Sequence, residues 1–233
     1  MLNNECKLIL ALDLPSFEEV QSILSTLKGE IHFVKVGLQL FTKYGPDIVK
    51  RISDYGCKIF LDLKLHDIPN TVASSIRSLK GLPVELLTIH AMGGEEMIRW
   101  AVQARDEIEG GLNILAVTVL TSMDDAGLQQ IGISSTPKES VEKLGKLAVD
   151  AGVQGLVCSG EEISLLREAV GTRPLLVVPG IRPKGSEAGE QKRIVTPAEA
   201  KKSGATHIVV GRPILKAQDP KLAVQMIEKE LHG

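Results

Sequence analysis

The sequence predicts an α/β protein in which eight parallel strands and their helices close into a (β/α)8, or TIM, barrel. Short segments rich in Leu, Ile and Val recur along the 233 residues, each followed by a turn and a longer segment with helical periodicity. Most of these apolar segments are nearly continuous, as expected for parallel strands that helices cover. The length suits one barrel, since such a fold uses about 200 to 250 residues.

The predicted strands are spread evenly along the chain. They are residues 8–12, 33–36, 58–63, 86–90, 113–119, 155–158, 175–178 and 207–210. Amphipathic segments between strands predict helices over residues 16–28, 42–54 and 140–151. Ser16 and Glu19 have the spacing of a capping box, and Pro197 after Thr196 suits a helix start.

Eight βα units favour a closed barrel over an open, doubly wound sheet, with residues 1–233 as a single domain. The sequence contains no GxGxxG and no GxxxxGK[ST], which weakens the dinucleotide-binding and P-loop alternatives. In a barrel the active site lies at the carboxyl ends of the strands. Two long intervals that follow strands, 121–138 and 180–196, are therefore candidate functional loops.

Composition excludes several classes of partner and location. The 27 basic and 29 acidic residues give a net charge of −2, so we expect no binding to nucleic acid or to acidic membranes. Aromatic residues make up only 3% of the chain, which argues against a base-stacking surface. We expect no signal peptide and no membrane span, because the apolar segments are too short. Three widely separated cysteines suit a reducing cytoplasm.

Charged residues cluster where the first three strands end. Asp13 follows strand 1, Lys35 lies in strand 2, and Asp62 and Lys64 lie at the end of strand 3, with Asp67 in the next loop. Residues two apart on a strand share a face, so Asp62 and Lys64 should point together into the barrel. Taken alone, this segment is equally consistent with a half-exposed strand whose polar face forms salt bridges.

Glycine and arginine after the last two strands suggest an anion site. Gly180 and Arg182 follow strand 7, and Gly211 and Arg212 follow strand 8. Glycine lets the backbone approach a phosphate, and an arginine can bind it with two hydrogen bonds. Each pair alone would be an ordinary turn. Their joint position after strands 7 and 8, where barrels commonly hold phosphate, favours a phosphate site.

Several motifs closely resemble the bacterial orotidine 5′-monophosphate decarboxylase family across the whole chain. They are LALD (10–13), VKVG (34–37), FLDLKLHDIPNT (60–71), VTVLTS (117–122), PGIRP (179–183), GEQKR (189–193) and VVGRP (209–213). The third of these is highly specific. The resemblance implies conversion of orotidine 5′-monophosphate to UMP and CO2, the last step of pyrimidine nucleotide synthesis.

The resemblance also implies a catalytic charge array made of Lys35, Asp62, Lys64 and Asp67. The enzyme would be a homodimer in which Asp67 and Thr71 reach the site of the partner subunit. Lys64 would stabilise a carbanion at C6 of the pyrimidine and then protonate it, without metal or cofactor.

The remaining substrate contacts come from the same resemblance. Asp13, Lys35 and Thr71 would bind the ribose, and Thr121 or Ser122 the pyrimidine amide. Phosphate would be held by Gln191, Arg182, Arg212 and the backbone of Gly211. The residues implied to contact the substrate also include Asp62, Ile68 and Pro179. The glycines of segment 185–189 would allow a lid to close over the phosphate.

Two alternatives are open at this stage. Related sugar-phosphate decarboxylases and aldolases share the barrel and the Asp-x-Lys-x-x-Asp strand, but they use a divalent metal held by acidic residues where this chain has Lys35 and Phe60. A barrel that only senses UMP is the second alternative, although it would not need Lys64. We expect His66 and His90, which lack partners at metal-ligand spacing, to make positioning hydrogen bonds.

Overall fold

The structure, a computed structural model, describes residues 5–108, 110–183 and 195–233, which form a closed barrel of eight parallel strands. The strands are β1 (Lys7–Ala11), β2 (Phe33–Gly37), β3 (Lys58–Leu65), β4 (Val84–His90), β5 (Asn113–Val117), β6 (Gly155–Val157), β7 (Leu175–Val178) and β8 (His207–Val210). Each strand pairs with the next, and β8 pairs with β1. The predicted (β/α)8 barrel is confirmed.

Helices follow the strands and pack around the outside of the barrel. They are α1 (Phe17–Thr26), α2 (Leu38–Tyr44), α3 (Asp47–Ser53), α4 (Pro69–Arg77), α5 (Gly94–Asp106), α6 (Asp125–Gln130), α7 (Pro137–Asp150), α8 (Ile163–Val170), α9 (Pro197–Ser203), α10 (Arg212–Leu215) and α11 (Pro220–His232). In the described parts of the chain, no helix is long and apolar enough to span a bilayer.

The barrel has two apolar layers. Inside the barrel, alternate residues of the strands form a small core of Ile9, Ala11, Phe33, Phe60, Leu86, Leu115, Val177 and Val209. The other face of each strand packs against the helices in a much larger core. Strands buried on both faces explain why their sequences are nearly continuous apolar segments.

Three strand boundaries differ from the prediction by two residues, and four others, in β1, β2 and β6, differ by one. β3 runs to Leu65 instead of residue 63, β4 begins at Val84 instead of residue 86, and β5 ends at Val117 instead of residue 119. In β3 the polar residues Asp62 and Lys64 stay in the strand because their side chains point into a cavity inside the barrel. Apolar patterning alone therefore ends that strand too early.

The predicted helix over residues 42–54 is wrong, because the structure has two helices there. α2 ends at Tyr44, and Gly45 follows with φ of 64° and ψ of −161°, outside the helical region. Pro46 is the N-cap residue of α3 and has no backbone N–H to continue the preceding helix. The Gly-Pro pair therefore divides a continuous amphipathic pattern into two short helices.

Side-chain caps fix several helix starts. Ser16 accepts a hydrogen bond from the backbone N–H of Glu19 at the start of α1, which confirms the predicted cap. The capping box of Thr136 and Glu139 starts α7 one turn before the predicted residue 140. Thr196 and Glu199 form another capping box, where α9 begins.

Candidate active site

A cavity of about 300 Å³ opens at the carboxyl ends of the strands. Its wall contains most of the residues that the sequence singled out: Asp13, Lys35, Asp62, Lys64, Thr121, Pro179, Arg182, Gly211 and Arg212. The cavity is charged on the side of β1 to β3, and it has two arginines on the side of β7 and β8. Strands that are far apart in sequence therefore contribute side chains to one polar surface.

Four charges alternate along the wall formed by the first three strands. The Lys35 Nζ lies 3.0 Å from Asp13 Oδ1 and 3.5 Å from Asp62 Oδ2. The Lys64 Nζ donates a hydrogen bond of 2.8 Å to Asp62 Oδ1. Asp62 thus lies between two ammonium groups and orients both. The alternative of a half-exposed strand whose polar face forms salt bridges does not fit, because Asp62 is buried and its partners face a cavity.

The environment of Asp62 favours its charged form. Burial alone would raise the pKa of this carboxyl. The charges of Lys35 and Lys64 and the hydrogen bonds from Lys64 and Thr88 outweigh burial, so the pKa lies below its usual value. The cavity therefore holds a fixed negative charge beside the Lys64 ammonium.

Lys64 has an unusual backbone conformation. Among the described residues it is the one non-glycine residue with positive φ, at 49°. The register of β3 against β4 also slips here, because Leu61 pairs with Leu87 but Leu65 pairs with Ile89. A conformation of this kind is costly for a residue with a side chain, and such strain concentrates at functional sites.

Thr88 lies on β4 opposite this irregular part of β3, and sequence reasoning missed it. Its hydroxyl accepts a hydrogen bond of 2.9 Å from the Lys64 backbone N–H and donates one of 2.9 Å to Asp62 Oδ1. The side chain is fully buried. The sequence signal was a single polar residue within the apolar segment of strand 4.

Gly37 makes space for the Lys35 ammonium. A Cβ added at Gly37 would lie 3.1 Å from Lys35 Nζ and 3.6 Å from Asp13 Oδ1. The glycine of the motif at residues 34–37 therefore has a steric role that spacing could not show.

The two arginines lie near each other on the opposite wall. Burial and the nearby charge of Arg212 both lower the pKa of Arg182. Arg182 is only 7% exposed, and its Nη1 donates to the carbonyl of Ile181. Two guanidinium groups that repel each other at one cavity wall form a suitable site for a doubly charged anion.

Apolar side chains complete the cavity. Phe60 and Val209 belong to the core inside the barrel, and Val117, Val157 and Cys158 line the cavity beside them. Burial raises the pKa of the Cys158 thiol, which makes it a poor nucleophile. A planar heterocycle would therefore meet an apolar surface.

Four predicted residues lie elsewhere in this chain. Asp67, Ile68, Thr71 and Ser122 are exposed and are not among the described residues that line the cavity. Asp67 accepts a hydrogen bond from the backbone N–H of Ile68, just before α4. Gln191 and the predicted lid glycines of segment 185–189 lie outside the described residues.

His66 and His90 stack on each other near the same end of the barrel, with ring centroids 5.3 Å apart. Burial, together with the charges of His66 and Lys64, lowers the pKa of His90. Over residues 5–108, 110–183 and 195–233, no three His, Cys, Asp or Glu side chains converge as metal ligands would.

Comparison with known proteins matches this arrangement to one family. The sequence profile of the Orotidine 5′-phosphate decarboxylase / HUMPS family matches residues 6–227. The chain belongs to this family. A relative from Opitutus terrae named orotidine 5′-phosphate decarboxylase is 48% identical over 97% of this chain and 98% of that protein. A relative of the same name from Gluconobacter oxydans is 49% identical over 99% of each chain.

Solved structures give the same result. The crystal structure of orotidine 5′-phosphate decarboxylase from Lactobacillus acidophilus matches with a TM-score of 0.87 and 40% identity, over 98% of this chain and 100% of that one. An uncharacterized conserved protein from Geobacillus kaustophilus matches with a TM-score of 0.84 and 35% identity, over 96% of this chain and 99% of that one. The predicted family and the predicted class of enzyme, a decarboxylase, are confirmed.

Proposed function

We propose that the protein is an orotidine 5′-phosphate decarboxylase that converts orotidine 5′-monophosphate to UMP and CO2 in pyrimidine biosynthesis. One observation carries the proposal: the Lys64 ammonium, held 2.8 Å from buried Asp62, lies in a cavity that also contains two arginines. Family membership of the chain supports the same reaction.

The cavity has a suitable surface for each part of this substrate. Arg182 and Arg212, with the backbone of Gly211, bind the phosphate, and Gln191 and Pro179 contribute from the segment after β7. Asp13 and Lys35 bind the ribose hydroxyl groups. The pyrimidine lies against the apolar wall with its amide at Thr121 or Ser122. C6 is then directed towards β3 and Lys64.

The difficult step is loss of CO2 from C6. The C6–carboxylate bond breaks, its electron pair stays on C6 in the plane of the ring, and π delocalisation cannot stabilise it. The ammonium of Lys64 stabilises this developing charge and then donates a proton to C6, which gives UMP. Solvent returns the proton to Lys64. All atoms and charges are supplied by the substrate, Lys64 and water, so the reaction needs no metal or cofactor.

Asp62 has two functions in this scheme. It holds the Lys64 ammonium in place, and its negative charge would lie near the carboxylate that leaves. Repulsion between the two carboxylates favours departure of CO2, but stabilisation of the carbanion is the larger effect because it acts where charge develops in the transition state.

We further propose a homodimer with one domain per chain, residues 1–233. Asp67, Ile68 and Thr71 are exposed beside the barrel mouth, and Ile68 is an apolar side chain that is 66% exposed. This placement supports a subunit contact through which Asp67 and Thr71 complete the partner's site.

Pairing of β1 with β8 supports a single closed domain. The unpaired, buried thiols of Cys6, Cys57 and Cys158 suit the cytoplasm.

The metal-dependent sugar-phosphate reaction is less well supported. Its acidic ligands would replace Lys35 and Phe60, and here those two side chains line the cavity. The ammonium of Lys35 would repel a divalent cation.

The test is an ultraviolet absorbance assay of purified protein with orotidine 5′-monophosphate, with and without EDTA. We expect turnover that EDTA does not change, and we expect Lys64→Ala to abolish it. Lys58→Ala is the matched control, because Lys58 begins the same strand at the opposite end and pairs with Glu85. Turnover lost on EDTA treatment would favour the metal-dependent alternative, and UMP binding without turnover would favour a sensor.

A mixing experiment tests the shared site. Lys64→Ala and Asp67→Ala are each expected to be inactive, but a hybrid dimer contains one site with both native residues. Random mixing should restore roughly a quarter of the sites. No recovery after subunit exchange, or a fully active monomer, would contradict the assignment of Asp67 to the partner's site.

A further inference from the structure

β4 has a single residue opposite the catalytic part of β3. Leu87 pairs with Leu61 and Ile89 pairs with Leu65, so only Thr88 lies across from residues 62–64. The regular exchange of backbone hydrogen bonds between the strands is therefore interrupted at Asp62 and Lys64. Something else must satisfy the Lys64 N–H, since a buried donor without a partner is costly.

The Thr88 hydroxyl accepts the hydrogen bond from the Lys64 N–H, and this contact fixes the direction of the hydroxyl proton. Its oxygen accepts from the Lys64 N–H at 2.9 Å. The hydroxyl proton is directed at Asp62 Oδ1, also at 2.9 Å, which is the same carboxylate oxygen that accepts from Lys64 Nζ. One buried group thus connects the backbone of the lysine to the carboxylate that holds its ammonium.

We propose that Thr88 is a positioning residue for decarboxylation, which holds Asp62 and the left-handed backbone of Lys64 in the geometry that directs the ammonium at the reacting carbon. This inference rests on the proposed function. Thr88 acts through Asp62 and Lys64, and it is not among the described residues that line the cavity.

The charges around Asp62 determine what loss of the hydroxyl would do. Lys35 approaches Asp62 from β2 and Lys64 from β3, while Asp13 shares the Lys35 ammonium. His90, on β4, and the two arginines lie on other parts of the same end of the barrel. In addition to these charges, the neutral hydroxyl of Thr88 donates a hydrogen bond to Asp62. Removing it should raise the pKa of Asp62 and loosen the Lys64 backbone.

The experiment compares Thr88→Val, which keeps the shape and removes the hydroxyl, with Thr88→Ser, which keeps the hydroxyl. Thr118→Val is the matched control, because Thr118 is also fully buried near this end of the barrel but its hydroxyl donates to the Val157 carbonyl. We measure kcat, KM and the pH dependence of kcat with orotidine 5′-monophosphate, and the equilibrium affinity for UMP.

We expect Thr88→Val to lower kcat by about 10- to 100-fold, because a hydrogen bond to a charged group and a backbone contact are lost together. KM and UMP affinity should change less than about threefold, since the phosphate and ribose contacts remain. The acid limb of the kcat profile should move upward by roughly half a pH unit or more. Thr88→Ser should restore both kcat and the pH at which the acid limb lies.

If Thr88→Val does not fold, Thr88→Cys replaces it, since a thiol is similar in volume but a weaker donor and acceptor. The kcat of Thr88→Cys should lie below those of the wild type and Thr88→Ser, and its acid limb should lie at higher pH. A kcat and acid limb equal to those of Thr118→Val would overturn this inference alone. Absence of turnover in the wild-type protein would overturn the proposed function and this inference with it.

Discussion

Gly37→Ala tests whether the position of the Lys35 ammonium matters. The backbone at Gly37 has φ of −96° and ψ of −176°, an extended conformation that alanine adopts without strain. The new Cβ would lie 3.1 Å from Lys35 Nζ, closer than ordinary contact, so the ammonium must move by a few tenths of an ångström. Because the lysine is tethered to β2, we expect it to lose part of its contact with Asp13 or Asp62.

The size of the effect follows from those distances. At an effective dielectric constant of about 20, lengthening the 3.5 Å separation between Lys35 and Asp62 by about 0.4 Å weakens their attraction by about 0.5 kcal/mol. Distortion of the 3.0 Å hydrogen bond to exposed Asp13 adds about as much. The total of about 1 kcal/mol corresponds to a decrease in kcat/KM of about fivefold.

Steady-state kinetics on orotidine 5′-monophosphate measure this decrease, and urea unfolding measures stability. We expect the free energy of unfolding of Gly37→Ala to change by less than about 1 kcal/mol, because the restriction that alanine places on the unfolded chain offsets most of the loss from the weakened ion pairs. Gly127→Ala is the control, since its Cβ would meet only ordinary contacts, at 3.6 Å from Asp124 Oδ1 and 3.8 Å from Met123 Cε. If Gly37→Ala keeps the kcat/KM of that control, the reasoning is refuted.

Two further predictions concern the phosphate site and acid stability. Arg182→Ala and Arg212→Ala should each lower kcat/KM for orotidine 5′-monophosphate by about 10- to 100-fold, since under the proposed function each would remove a charged hydrogen bond to phosphate. The same variants should leave the much slower reaction of orotidine, which lacks phosphate, within about threefold of wild type; equal losses on both substrates would argue against a phosphate role. His207 is buried at the start of β8, and burial, with the charges of Lys7 and Lys58, lowers its pKa to about 4. The unfolded chain therefore binds a proton at this residue at higher pH than the folded protein does. The folded state should lose about 2 kcal/mol of stability between pH 7 and pH 5 through this group, as urea titrations would show. His207→Gln should lessen that loss, and an unchanged pH dependence would contradict the assignment.

The fold could be predicted from the sequence because its determinants are local and repeated. Each strand is a short apolar segment, each helix has an apolar stripe, and eight such units fit the length of one barrel. The predicted element boundaries fail where functional polar residues or the backbone conformation override the pattern of apolar residues. β3 continues through Asp62 and Lys64, and Gly45 with Pro46 divides an otherwise continuous helical pattern.

The site was predictable in part for a similar reason. Residues at the ends of parallel strands must meet at one end of the barrel, so the pattern of charges brought Lys35, Asp62 and Lys64 together. The roles of Gly37 and Thr88 were not predictable, because one depends on a non-bonded distance and the other on a slip in strand register. Neither feature has a signature in residue spacing.

The strand slip links the backbone to the chemistry. In a regular strand, Asp62 and Lys64 would both point inward, but their side chains would project in parallel, about 7 Å apart along the strand. The left-handed backbone at Lys64, with φ of 49°, accompanies a hydrogen bond of 2.8 Å from its ammonium to Asp62. Such a conformation costs on the order of 1 to 3 kcal/mol, and the buried hydrogen bonds of Thr88 offset part of that cost. A net charge of −2 for the whole chain therefore conceals a strong local field, which strained backbone and buried hydrogen bonds hold in place.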